Sequence, residues 1–408
     1  MTPTLYITRN GMLEPLGQSQ VLSYLRGLST DYQITLISFE KPEDWADTEA
    51  VARVRADCAL KGIRWLPQRF HYRPKILAPG WSMMTFLWLC LREVRRGNAE
   101  LIHARSYIPA FVAMITRRLT GTPYIFDMRA LWPEEMITAG RLRRNSWIHH
   151  AIVWAERTCL KRADTVVTLT QAAVIYLKKR YPDELDGQSI VVIPTCADLD
   201  RFTPPLSPPL GPPIFSCIGT VLSGWFRTEW LRQFLQVASE QDDSALFEIV
   251  TRDDAEQVRH AIDPANTLGA RLQIFARTPQ DMPRTVQRQT TSVMFYAGGE
   301  TSELGRSPTR MAEILGCGIP VVANEGVGDV ASIVREHRVG VIVENETPEA
   351  MLAAWRHLMN LRADPELSKR CRSAAERVFS LEAGTRHYRE IYHEIVADRH
   401  LDGANERG

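Results

Sequence analysis

Two series of short β-rich runs, each alternating with helical stretches, constrain this 408-residue chain more than any other feature. The first passes through residues 4–8, 33–38, 101–103, 124–126, 165–168 and 190–193, the second through 214–218, 246–251, 271–275, 291–295, 319–323 and 340–343. Strands joined through helices return to their sheet in the same direction, so each series predicts a parallel, doubly wound α/β sheet with ligands at the strand C-termini. Between them lies a proline-rich segment, PTCADLDRFTPPLSPPLGPP, over 194–213. Proline removes a backbone donor and ends pairing, which marks a boundary. The expected organisation is a Rossmann-like domain over 1–200, a linker over 201–213 and a second such domain over 214–379. A cleft between two such halves is where a two-substrate reaction would be assembled.

Charge excludes some functions. Lys+Arg 49 against Asp+Glu 48 leaves +1, so no global field draws the chain to nucleic acid. The seven cysteines are scattered without a CxxC pair or a histidine at ligand spacing, as expected of buried thiols in a reducing, cytoplasmic compartment. The opening residues carry no charged region followed by an apolar core, so no signal peptide is expected. The most apolar run, MMTFLWLCL over 83–91, is too short to cross a bilayer.

Chemistry concentrates in SPTRMAEILGCGIPVVANEGVGDV, 307–330. Pro308 suits a first helical position and Ser307 an N-cap, while Gly316 and Gly318 stop the helix before a buried strand. Unbonded N–H groups at a helix start attract anions, and Arg306 and Arg310 add cations beside them. Glu313 offers an acceptor for two vicinal hydroxyls. Together these describe a nucleotide-diphosphate pocket; alternatively, Arg310 and Glu313, three apart on a helix, simply pair on a solvated face.

This segment resembles the donor-nucleotide helix of the GT-B glycosyltransferases of family four. GMLEPLGQSQVLSYLRGL resembles their first glycine loop and helix, and IPTCADLDRF the strand and linker leaving the first domain. The resemblance implies the GT-B fold, two Rossmann-like domains facing a central cleft, with a C-terminal helix over 380–397 crossing back to the first. It also implies metal-independent transfer of a sugar from a nucleotide-diphosphate sugar, with retention of anomeric configuration and without a cofactor. Donor contacts then fall on Gly17, Gln18, Arg227, Arg252, Arg306, Ser307, Thr309, Arg310 and Glu313, with residues near 277–282 facing the base. Acceptor contacts fall on Glu14, His103, Trp132 and Glu134. Asp127 and Arg129 are the expected catalytic pair, although arginine cannot serve as a base.

Two departures matter. The family's first donor-motif glutamate is replaced by Gly305, leaving Glu300 or Glu303 to compensate. Asp198-Leu199-Asp200 resembles a metal-binding DxD but belongs to the linker pattern. A nucleotide-sugar epimerase and an inactive binding subunit are the competing readings. Trp81, Met84 and Trp88 ahead of Arg92, Arg95 and Arg96 suit a core helix with a basic face or an anionic membrane surface. So do Trp147 and Trp154 among Arg141, Arg143, Arg144, Arg157, Lys161 and Arg162. The expected partners are therefore a nucleotide sugar, a glycan or lipid-linked acceptor and the inner face of a membrane.

Overall fold

A computed structural model describes residues 1–70, 78–207 and 210–405. The chain forms two compact units, residues 1–193 with the C-terminal helix from Leu381, and Pro194–Ser380. Thirteen strands are described: β1 (Thr2–Ile7), β2 (Tyr32–Glu40), β3 (Arg64–Arg69), β4 (Leu101–Arg105), β5 (Tyr124–Asp127), β6 (Thr165–Thr168) and β7 (Ile190–Val192) in the first unit. The second holds β8 (Ile214–Ile218), β9 (Leu246–Val250), β10 (Leu272–Phe275), β11 (Thr291–Met294), β12 (Val321–Asn324) and β13 (Gly340–Val343).

The first sheet has the order β3-β2-β1-β4-β5-β6-β7 and the second β10-β9-β8-β11-β12-β13. Neighbouring strands are parallel throughout, with Leu5 opposite Thr35 and Ile102, for example. Strands such as β4, β5, β6, β11 and β12 are buried at every residue, as sheets covered by helices on both faces require. Each order reverses once, between β1 and β4 and between β8 and β11, and ligands in such folds bind at that reversal beyond the strand C-termini.

Three features differ from expectation. β3, RWLPQR, is additional to the expected strands; it is an edge strand, where Pro67 costs no pairing on the open side. The boundary falls after Ile193, ahead of the expected one at 200, because Leu199 and Phe202 are buried in the second unit's core. Arg372 fastens that segment through the carbonyls of Leu199 and Phe202, at 2.9 and 2.7 Å. The C-terminal helix, Leu381–Asn405, outruns the expected 380–397 and packs on the helix Ser23–Leu28 of the first unit.

Candidate donor site

In the second unit the loop leaving β8 crosses the reversal and is zipped onto the loop leaving β11. Phe226 bridges Tyr296, Ala297 N–H donates to the Trp225 carbonyl at 3.0 Å, and Arg227 N–H donates to that of Phe295 at 2.9 Å. Asp253 holds the near end, accepting from the N–H groups of Val221 and Leu222 at 2.8 and 3.1 Å. Asn324 clamps the Tyr296 peptide from β12, accepting from its N–H at 2.9 Å and donating to its carbonyl at 3.0 Å. The Arg227 guanidinium donates to the Gly298 carbonyl at 2.6 Å and stacks over Trp230. It lines a concavity of about 360 Å³ at the ends of β11, β12 and β13, shared with Glu325, Glu344 and Glu346, the last of which accepts from Trp230 Nε1–H at 2.9 Å. Arg252, by contrast, is exposed at the end of β9.

The motif helix runs Thr309–Gly316 and is preceded by Pro308 in an extended conformation. Ser307 is not its cap: the Ser307 Oγ accepts from Thr195 N–H at 3.1 Å, tying the helix start to the segment entering the unit. The first amides of the helix, including those of Thr309 and Arg310, have no partner within it by geometry. Gly318 ends the turn at φ +76°, where a Cβ would fall 2.2 Å from Ser368 Oγ. Arg310 is ion-paired with Glu313, so the local pairing foreseen as an alternative is what this ligand-free geometry contains. The pair is lopsided: the Glu313 side chain is 13% exposed and that of Arg310 40%. Burial raises the Glu313 carboxyl pKa, and Arg310 opposes the rise.

Arg306 is committed differently. It pairs with both oxygens of Glu303, a fully buried carboxylate, and lies between the rings of Trp225 and Tyr296 at 5.3 and 5.6 Å. That contact joins the loops after β8 and β11. Glu303 is thus engaged by Arg306, whereas Glu300 is exposed at the start of the 3₁₀ turn Thr301–Gly305. Of the two carboxylates considered as substitutes for the motif position held by Gly305, only Glu300 faces solvent. Asp198 closes a turn by accepting from Asp200 N–H at 3.1 Å.

In the first unit the loop after β1 is built around Glu40. Its buried carboxylate accepts from Met12 and Leu13 N–H at 2.9 and 3.1 Å and from the Ser38 hydroxyl at 2.5 Å. Gly17 closes the loop so tightly that a Cβ would sit 1.9 Å from the Gly11 carbonyl oxygen, so the glycine there serves the loop's own packing. Gln18 is exposed beside it, and Glu14 pairs with Lys41 at 3.2 Å.

Asp127 is the hub of a buried charge cluster. His103, Arg105 and Arg129 approach it at 3.4, 3.5 and 3.5 Å, and Tyr388 of the C-terminal helix donates to it at 3.2 Å. Burial alone would raise its pKa, but Arg129, His103 and Arg105 hold it at about 2. Arg129 adopts φ +47°, uncommon for a side chain of its size, and reaches Tyr388 and Gln20 at 3.3 and 3.5 Å. His103 Nδ1 pairs with Tyr392 at 2.7 Å, and burial lowers its pKa despite Asp127. The expected catalytic pair, and the expected acceptor histidine, are therefore enclosed: the side chains of Asp127 and His103 are 1% exposed and that of Arg129 9%. Trp132 N–H donates to the Tyr107 hydroxyl at 3.2 Å, and Glu134 is held by Arg144 at 2.5 Å.

Asn324 and Trp225 escaped sequence reasoning because each acts on a loop distant in the chain, and Asp253, which reads from the sequence as a solvated turn, instead holds the loop after β8; only the glycine pair 298–299 just past a strand hinted at a crowded turn. A family model described as Glycosyl transferase 4-like domain matches residues 18–196. A comparison with curated proteins finds no match. Among solved structures, sucrose-phosphate synthase from Thermosynechococcus elongatus is similar at a TM-score of 0.72 and 15% identity, over 98% of this chain and 100% of that one. A glycosyltransferase from Rickettsia africae gives 0.71 and 15%, over 96% and 98%. The Anabaena protein HepE, solved with UDP and glucose, gives 0.64 and 14%, over 96% and 99%.

Proposed function

We propose that this chain, whose residues 18–196 match the model of the glycosyl transferase 4-like domain and which has the GT-B fold, transfers a sugar from a nucleoside-diphosphate donor to an acceptor hydroxyl with retention of configuration. The observation that carries the donor half is the start of the helix Thr309–Gly316, where N–H groups, a half-exposed arginine and a nearly buried carboxylate lie within about one turn. Glu313 accepts from the vicinal ribose hydroxyls, and Arg310, released from it, turns to the diphosphate. Arg227 and the helix dipole meet the charge that develops as the sugar–phosphate bond breaks, so the proposal assigns that charge to the chain's own groups rather than to a metal. HepE, crystallised with UDP and glucose, is consistent with this donor class.

In the retaining step the C1–O bond to the diphosphate breaks while the acceptor oxygen bonds C1 on the same face, and the acceptor proton passes to the departing phosphate oxygen. No protein base is needed, which suits the enclosure of Asp127. Asp127 and Arg129 then act as positioning residues at the end of β5. The acceptor is a glycan, a glycolipid or a lipid-diphosphate-linked sugar.

The test is a thermal-shift screen against UDP, GDP, ADP, TDP and CMP. A ligand at 100 times its Kd stabilises by about 2.7 kcal/mol. One selectively stabilising diphosphate is the expected result and names the base; no shift with any of them at millimolar concentration would overturn the donor assignment. Consumption of the matching nucleotide sugar without an acceptor, giving an epimer, would replace transfer by isomerisation.

A further inference from the structure

The helices Ala78–Arg95, Tyr107–Thr120 and Trp147–Arg162 lie side by side on one face of the first sheet, the middle one packing against both others. Each leads back to a parallel strand, so all three run antiparallel to the strands and parallel to one another. Their inner sides are ordinary core: Phe86, Leu89 and Cys90 on the first, Cys159 and Leu160 on the third. Their outer sides are not an ordinary solvated surface. Met84 and Trp88, 64% and 60% exposed, form one ridge at i, i+4; Trp147 and Trp154, 80% and 59% exposed, form another at i, i+7. Phe111 of the middle helix lies beside Trp154, with ring centroids 6.2 Å apart, and extends the second ridge. Trp81 lies outside the residues whose side chains are described.

Cations bracket this apolar band. Arg141 and Arg143 precede Trp147, Arg95 follows Trp88 on the same ridge, and Lys161 follows Trp154 by two turns. All four are exposed and none has a carboxylate partner among the described residues. Arg92 stacks over Trp88 at 4.8 Å. The single acid in the basic segment, Glu156, faces inward between Tyr107 and Tyr181 and gives the surface no negative charge.

We propose that this three-helix face is a docking surface for an anionic phospholipid bilayer. Tryptophan is the side chain that settles at the headgroup boundary, with its ring toward the acyl chains, and flanking arginines and lysines are drawn by the negative surface potential. Cations of one sign, without carboxylate partners, around an apolar band match a surface that is anionic at its rim and apolar beneath, which is the layering of an anionic bilayer. No described helix is long and apolar enough to cross a membrane, so the contact is one of lying on the surface. The inference is independent of the transfer reaction and uses no residue of the donor site.

The experiment is co-sedimentation of the full chain with vesicles of phosphatidylcholine alone and with 30% phosphatidylglycerol, with tryptophan emission recorded. The vesicle composition is about 30% anionic, enough for a surface potential of the kind that attracts basic residues. Binding at least about tenfold stronger to the anionic vesicles, with blue-shifted emission, is expected. Replacing Arg141 and Arg143 together by Ser should weaken it by about fivefold per arginine. Trp147→Ser with Trp154→Ser should reduce the blue shift to the share that Trp88 contributes, at an unchanged melting temperature, since both replaced rings are exposed. Equal binding to neutral vesicles, no binding at low salt, or conversion of a dimer to a monomer by the tryptophan changes would each overturn the proposal, the last by giving the face to a second copy of the chain.

Discussion

The two sheets share a strand order through all six positions of the second and a reversal at the same place, yet they use charge at their C-terminal edges in opposite ways. In the first unit, Asp127, Arg105, Arg129 and His103 are sealed at 1–9% exposure beneath the C-terminal helix and paired with one another. In the second unit, the carboxylates Glu303 and Glu313 are buried, but their arginines are 26% and 40% exposed. One edge spends its charge on joining a distant helix to the sheet; the other keeps cations at the surface, held by carboxylates from which a stronger anion can take them. The same topology thus supplies a fastening in one unit and, in the function we propose, a receptor in the other.

The largest expected effect tests the fastening. Asp127→Asn leaves two buried guanidinium groups with no counter-charge, a change that costs about 3–5 kcal/mol. For a unit of this size that lowers Tm by roughly 6–20 °C. Differential scanning calorimetry should show this loss, while affinity for the selected nucleotide at low temperature stays unchanged. A variant with parental Tm and abolished transfer would break the comparison, because it would make Asp127 a group that touches substrate.

Glu313→Ala should do the reverse. The arginine it abandons is 40% exposed and can be hydrated, so Tm should move by no more than a few degrees. Losing a carboxylate that accepts two ribose hydroxyls should raise the nucleotide Kd by about 10- to 100-fold, a total of about 1.5–3 kcal/mol once water re-solvates the freed hydroxyls. Isothermal titration separates the outcomes: unchanged affinity would reduce the pair with Arg310 to a surface ion pair.

How much of this could be read beforehand follows the range of the interactions. Strands such as 124–126 and 165–168 were legible because both faces are buried and the residues are apolar or β-branched, whereas β3, with three polar residues and a proline, carries no such signal. The Arg310–Glu313 pair was legible as an i, i+3 spacing. Ser307 as a cap was not, because the group that claims its hydroxyl is the Thr195 N–H, 112 residues away. Nor was the enclosure of Asp127, whose partner Tyr388 lies 261 residues downstream. Local chemistry names the polar groups, but which of them solvent can reach is decided by elements that arrive from elsewhere in the chain.

The smallest effect sharpens the contrast through pH. Glu156 is a buried carboxyl of the first unit that accepts from the Tyr107 hydroxyl at 2.8 Å and from that of Tyr181, and burial pushes its pKa up to about 7 against those two bonds. Its folded value lies above the unfolded one of about 4.3, so its contribution to stability is complete below the unfolded value and is lost as pH rises through about 7. Glu156→Gln does not titrate and should therefore be more stable than the parent at pH 8, by about 1–2 kcal/mol, and nearly equal to it at pH 5. His103 has the opposite sign: burial lowers its pKa, so stability falls as pH drops below about 6.5 and the unfolded chain takes up a proton that the folded one refuses. That loss is common to parent and variant, so the difference in Tm between them isolates Glu156 even though the absolute curves bend at both ends. Nucleotide affinity should be the same in the two proteins at either pH. A gap that appears in affinity and not in Tm would mean that the buried charge of the first unit reaches the reaction after all.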